Sequence, residues 1–252
     1  MDNHVEEEIV IEDLDNLSIV TTNEKEGLLL GPCGGQWNEL FSCLMKLQNK
    51  GLLNNVKLIV ANGMETIPAL LFAVGYTPEE MMNLNILKLV FNDISKLNVS
   101  FMITNFGLVD QTVIGTILHD LIRKKLGRIV CTMSNLHHAT GIKLHFSPYN
   151  ATQRRLEKFS EKNDISVIQV ILLSCIPFAF GQIKYNDCVY FDGSIYSSYP
   201  INDYRNTIAI NVNNIYDLAS LPGYTQEVYQ IACRRNMPSI IDNDKGNINI
   251  EL

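Results

Sequence analysis

From Gly27 onward the chain alternates short apolar runs with longer stretches whose apolar residues recur every three or four positions. Gly27-Leu28-Leu29-Leu30 is a run of the first kind and stops at Gly31-Pro32-Cys33-Gly34-Gly35, after which Trp37, Leu40, Phe41, Leu44, Met45 and Leu47 follow at helical spacing. The pattern predicts a strand, a glycine loop and a helix. Val56-Lys57-Leu58-Ile59-Val60 predicts a second strand closed by Ala61-Asn62-Gly63, with an apolar helix over 67–74 that Gly75 ends. Further strands are expected at 128–133, 189–191 and 207–212, and helices at 112–125, 164–175 and 224–235. Such alternation points to an α/β sandwich around a largely parallel sheet. Sites in such sheets lie at the carboxyl ends of strands, where residues 31–35, 61–65 and Asp192-Gly193 fall.

Composition narrows the picture. A chain of 252 residues, 46% hydrophobic and 19% charged, can bury one sizeable core, which excludes a wholly disordered, collagen-like or coiled-coil protein. Nine of the 27 acidic residues but only one of the 20 basic ones lie within residues 1–26. The acidic balance therefore belongs to a mobile N-terminal extension, in which Val5, Ile9, Val10, Ile11, Leu14, Leu17 and Ile19 could support partial order. Residues 27–252, read as a single domain, are nearly neutral and offer no basic face for a phosphate backbone, so no nucleic-acid partner is expected. The six cysteines are scattered without a C-x-x-C pair, which argues against a disulfide framework or a zinc site and for a reducing, intracellular compartment. No signal peptide is recognisable, and the apolar stretch 167–180 is too short and interrupted to span a bilayer, leaving peripheral membrane contact open. His137-His138 read as neighbours on an extended segment, a poor metal pair, and His119 and His145 read as isolated. Neither a metal nor a cofactor is expected. The 26 asparagines, with frequent Ile and Lys, suit an AT-rich genome of a viral or parasitic kind.

The order of these pieces resembles the patatin-like phospholipases over residues 27–212. The glycine loop Leu30-Gly31-Pro32-Cys33-Gly34-Gly35, Lys50-Gly51-Leu52-Leu53 and the stretch from Ile59 to Gly75-Tyr76-Thr77-Pro78-Glu79-Glu80 occur in the matching order. So do Ala139-Thr140-Gly141-Ile142-Lys143, read as the family's middle strand and turn, and Ser174-Cys175-Ile176-Pro177-Phe178. Val189-Tyr190-Phe191-Asp192-Gly193-Ser194 and Tyr199-Pro200-Ile201 complete the series. The resemblance implies a three-layer α/β sandwich with a largely parallel central sheet flanked by helices. It also implies a Ser-Asp dyad: a serine on a G-x-S-x-G elbow attacks a lipid ester, an aspartate activates it, and loop amides hold the oxyanion.

Laid on that pattern, Ala61, Asn62, Gly63, Met64 and Glu65 take the five elbow positions. Gly63 falls in the nucleophile slot, and no serine occurs between Ser42 and Ser95 to replace it. Asp192 retains the position of the dyad base. Gly34 and Gly35 remain as oxyanion-loop amides, whereas Pro32 lacks an amide proton and Gln36 stands where the family carries a basic residue. Thr66 is expected to cap the next helix, with Pro68 in its first turn and Glu65 at the positive end of its dipole. The expected function is that of a catalytically degenerate patatin-like protein that binds a lipid or fatty acyl ligand or a protein partner. Two alternatives stand beside it: a lipid acyl hydrolase using an unconventional group, such as Cys33 or water activated by Glu65, and a protein-interaction module.

Overall fold

The computed structural model describes residues 10–11, 25–31, 33, 37–86, 103–104, 107–128, 132–175, 178–181, 183–196, 204, 207–211 and 248–251. Its centre is a six-stranded sheet built from β1 (Val10–Ile11), β2 (Gly27–Leu30), β3 (Leu58–Ala61), β5 (Lys143–Phe146), β11 (Thr207–Asn211) and β12 (Ile248–Glu251). The spatial order is β1-β12-β11-β2-β3-β5, and every pair is parallel. Parallel strands are covered on both faces, which is why β2 reads GLLL and β3 LIVA without polar alternation. Leu28, Leu30, Ile59, Ala61, Leu144, Phe146, Ile208 and Ile210 line the main core, while Leu29, Val60 and Ala209 meet Tyr204 on the other face.

Helices pack into that main core. In α1 (Trp37–Asn49), Trp37, Leu40, Phe41, Cys43, Leu44 and Leu47 are buried as one stripe. The second helix, α2 (Thr66–Ala73), is apolar nearly all round and buried accordingly, and Pro68 is tolerated because it stands in the first turn, where its missing N–H has no partner to lose. Thr77 and Glu80 close a capping box at the start of α3 (Pro78–Leu84), giving the Thr77-Pro78-Glu79-Glu80 string a local structural reason. Beyond these lie α4 (Gln111–Leu126), α5 (Met133–Thr140) and α6 (Val167–Leu173), each capped at its N-terminus by Asp110, Thr132 or Ser166.

Two smaller sheets complete the architecture: a parallel pair, β4 (Gly107–Val109) with β8 (Phe178–Phe180), and an antiparallel sheet ordered β7-β6-β10-β9. The latter joins β6 (Tyr149–Asn150), β7 (Arg155–Leu156), β9 (Ile183–Tyr185) and β10 (Cys188–Phe191). Asp192 thus follows a strand of the antiparallel sheet, whereas the sequence suggested a strand of the central one. The cause is local. Asn186 and Asp187, both at positive φ (47° and 60°), form a two-residue turn that folds β10 back on β9 before it could reach the parallel sheet.

Other expectations shift for similar reasons. His137 and His138 lie on a helix, not on an extended segment, because Thr132 caps its start and Gly141, at φ 75°, its end. Ala139 and Thr140 close that helix, and the strand begins only at Lys143. Met133 likewise opens α5 instead of ending a strand, and residues 129–131 lie outside the described set, as do the expected helix at 224–235 and Val212. Within the acidic leading segment, Val10 and Ile11 pair with Asn249 and Ile250, so these two residues belong to the sheet and not to a free tail.

Phe146 is fully buried at the end of β5. Phe146→Ala is expected to lower unfolding stability by roughly 3–5 kcal/mol, read as a shifted urea midpoint at unchanged slope.

Candidate functional site

The site grows from the register of two neighbouring strands. Leu30 on β2 pairs with Ala61 on β3, so both strands end at one level and the chain leaves them side by side. After β2 come Gly31 and Cys33; Pro32, Gly34, Gly35 and Gln36 lie outside the described residues. After β3, Asn62 is extended (φ −126°, ψ 160°), Gly63 turns to φ 66°, and Gly63–Glu65 make one 3-10 turn that runs into α2. Two hydrogen bonds brace this elbow. Asn62 Oδ1 accepts from the Ser147 amide at 3.0 Å, and Thr66 Oγ1 donates to the Gly63 carbonyl at 2.7 Å. Thr66 is therefore not the cap expected of it: it is the first residue of α2, and its hydroxyl reaches back to the turn.

Asp192 reaches the elbow from the end of β10. A Cβ built on Gly63 would lie 2.5 Å from Asp192 Oδ2, 2.6 Å from Oδ1 and 2.8 Å from Cγ. The carboxyl thus rests against the Gly63 Cα, so any side chain at residue 63 would require the Asp192 carboxyl to shift, and the positive φ favours glycine there as well. Asp192 Oδ1 also accepts from the Ser194 amide at 2.7 Å, which caps the short turn Gly193–Ile195 and holds the carboxyl in place. Gly193 lets that turn lie on the Ser147 carbonyl, where any Cβ would collide. Ser147 therefore connects both halves of the site, through its amide to Asn62 and through its carbonyl to the Asp192 turn.

Glu65 contributes a second buried carboxyl, 2% exposed. Its Oε1 accepts from the Cys33 amide at 2.9 Å and from the Cys33 thiol at 3.0 Å, bridging the turn after β3 to the loop after β2. It makes no capping bond to α2. Sequence reasoning did not find this bridge, although a signal was present: Glu65 is the single acidic residue between Glu39 and Glu79 and stands in an otherwise apolar stretch. Burial raises the Glu65 carboxyl above its ordinary range, against the two Cys33 hydrogen bonds. Burial, and next the charge of Glu65, push Asp192 from 3.8 up to about 8, against the Ser194 hydrogen bonds. At neutral pH Asp192 is mostly a neutral acid, able to donate a proton but poorly able to accept one.

Several groups near the elbow add to its polarity. Asn62 Nδ2 is buried with no hydrogen-bond partner among the described residues. Cys175, whose thiol is raised chiefly by burial and also by Asp192, is inert as a nucleophile. Among the described residues no cluster of three metal-ligating side chains occurs. His145 is not isolated as its sequence context suggested: its ring lies 3.3 Å from Glu161 and 3.0 Å from the Tyr204 hydroxyl. Its place on β5 alternates with those of Leu144 and Phe146, so it points away from the main core.

No family model matches the chain. It is 26% identical over 217 residues to the probable lipid hydrolase 463L of Invertebrate iridescent virus 6, covering 79% of this chain and 72% of that protein. Its fold is similar to that of VipD from Legionella pneumophila, with a TM-score of 0.56 and 16% identity over 78% of this chain. The match spans 51% of VipD, about half its length. ExoU of Pseudomonas aeruginosa, solved in complex with SpcU, matches at a TM-score of 0.44 and 13% identity over 83% of this chain and 50% of ExoU.

The buried acids set a pH dependence. Because the folded protein holds Asp192 at about 8 while the unfolded chain returns it to 3.8, its contribution is fully present below about pH 4 and is lost as pH rises towards 8. Glu65 acts in the same direction. Stability is expected to fall over the Asp192 window, by at most about 1.4 kcal/mol per pH unit for that group. Asp192→Asn keeps an acceptor for the Ser194 amide and should flatten the fall. Thermal melts of both proteins across pH 4–8 check this, with a parallel decline in the two expected only if Asp192 were ionised throughout.

Proposed function

We propose, from the premise that this is a patatin-like protein in its α/β fold and in its kinship to a viral lipid hydrolase, that it binds a lipid or fatty acyl ligand without Ser-Asp hydrolysis. The observation that carries this reading is the seat of the Asp192 carboxyl on the Gly63 Cα, where no side chain intervenes. An acyl-enzyme needs a nucleophilic atom at the elbow, and glycine has none. The elbow is nonetheless retained, with its positive φ, its aspartate at hand and its loop alongside. Asn62 Nδ2, buried without a partner among the described residues, supplies a polar group for a ligand's head, and the protonated Asp192 supplies a donor. A protein partner in place of the lipid is the neighbouring reading, and lipid coeluting in native mass spectrometry of the purified chain separates the two.

One observation favours a second reading, in which Cys33 is the nucleophile and Glu65 its base: the thiol donates to Glu65 Oε1 at 3.0 Å. Against it stands the complete burial of Cys33. Ester turnover by the unmodified protein that disappears in Cys33→Ala would favour this reading over the first.

Serine-directed fluorophosphonates are expected to leave residues 61–66 unlabelled, as mapped by peptide mass spectrometry. Restoring the hydroxyl alone should not restore hydrolysis. In Gly63→Ser the new Cβ would press on the Asp192 carboxyl, which the Ser194 amide holds in place, and displacing a reacting group by about 1 Å can lower rates on the order of a hundredfold. An ester assay of Gly63→Ser beside Gly63→Ser/Asp192→Ala is expected to give background rates for both. Strong turnover dependent on Asp192 would instead mean a site complete except for its nucleophile.

A further inference from the structure

The segments that build the site carry no base. Residues 27–45 contain the loop after β2, residues 58–87 the elbow and residues 185–204 the Asp192 turn, and none of these stretches includes a lysine, arginine or histidine. Ser147, which joins the elbow to that turn, lies in a stretch equally free of them, 146–153. His145, two positions earlier, points to the opposite face of the central sheet from the main core. What these segments do bring together is two acids, Asp192 and Glu65, both buried.

Without a cation, an anionic head would need backbone donors, and the two described amides of the loop after β2 are taken. The Gly31 amide donates to the Ile210 carbonyl at 2.8 Å, and the Cys33 amide donates to Glu65 Oε1 at 2.9 Å. The chain thus places its own carboxyl on a donor that an outside carboxylate or phosphate would use. Asn62 Nδ2, buried at the elbow with no partner among the described residues, is a neutral donor. Burying an anion costs far more than one such hydrogen bond returns, whereas a hydroxyl or an ester carbonyl needs only that bond. Burial already pushes both carboxyls above their ordinary range, and the charge of Glu65 adds to the rise of Asp192. A third acid brought to the pair would meet both effects.

We propose that the site selects an acyl ligand whose head is uncharged, a hydroxyl or an ester, over one headed by a free carboxylate or a phosphate, and that Glu65 sets this choice. The inference rests on the acyl-binding reading above and adds to it the charge of the head. Glu65 acts in two ways: it occupies the Cys33 amide, and it brings a second acid to the place where Asp192 meets Gly63.

The test is calorimetric titration of the full chain with decanol, decanoate and decyl phosphate, which share an alkyl chain and differ in the head, each below its micelle concentration and at neutral pH. Decanol is expected to bind, and the two anions to bind at least about tenfold more weakly, a factor equivalent to about 1.4 kcal/mol. Glu65→Gln keeps an oxygen for the Cys33 amide and removes one acid, so it should narrow the lead of decanol over decanoate several-fold. Circular dichroism melts check that the variant folds, and the ratio in the unmodified protein is a test that needs no variant. Decanoate or decyl phosphate bound as tightly as decanol, or a lead that folded Glu65→Gln leaves unchanged, would overturn the proposal and leave acyl binding standing. Binding of none of the three would overturn the acyl-binding reading and this inference with it.

Discussion

The contact between the Asp192 carboxyl and the Gly63 Cα is the constraint on which the site depends. Two separate sheets have to meet there, one delivering the elbow from the parallel strand β3 and the other delivering the acid from the antiparallel strand β10. Their alignment is secured at Ser147, just beyond β5, which bonds the elbow through its amide and supports the Asp192 turn through its carbonyl. A side chain at residue 193 would collide with the Ser147 backbone, and one at residue 63 would displace the Asp192 carboxyl. Gly193 is therefore a condition of the docking, and Gly63 of the present seat of the carboxyl.

The meeting has an electrostatic consequence. Asp192 and Glu65 are both buried, and each makes ionisation of the other less favourable, so the cheapest state near neutrality keeps a proton on the pair. Glu65 gains from its place the amide and thiol of Cys33, which hold the loop after β2 to the turn after β3. A carboxyl in that position occupies a backbone donor of the glycine loop, and so works against the presentation of that amide to any other oxyanion. The arrangement favours a closed, proton-holding cluster over one poised to stabilise negative charge.

The antiparallel sheet also gives the molecule two differently used faces. Its inner row completes the main core, and its outer row sets the Tyr149 and Phe191 rings side by side, with Tyr196 stacked on Tyr149. Because β10 supplies both the outer Phe191 and, one residue later, the site's Asp192, events on that face and at the site share a single strand. No helix among the described residues is long and apolar enough to cross a membrane.

Much of this was legible along the chain. The unalternating runs of β2 and β3, the glycine-bounded turns and the apolar α2 follow from the burial of parallel strands on both faces, and the lack of a side chain at Gly63 is a fact of residue identity. The helix holding His137 and the hairpin at Asn186-Asp187 escaped the sequence reading, although the first is set by local caps at Thr132 and Gly141 and the second by two positive φ angles. What only the tertiary structure decided are the encounters across long sequence separations: Asp192 on Gly63, Glu65 on Cys33, Ser147 on Asn62. Hydrophobic pattern determines which face of an element is buried, because burial is non-directional and repeats with the local period. Which polar groups meet inside depends on strand register and sheet docking, and those are settled by the packing of the whole core.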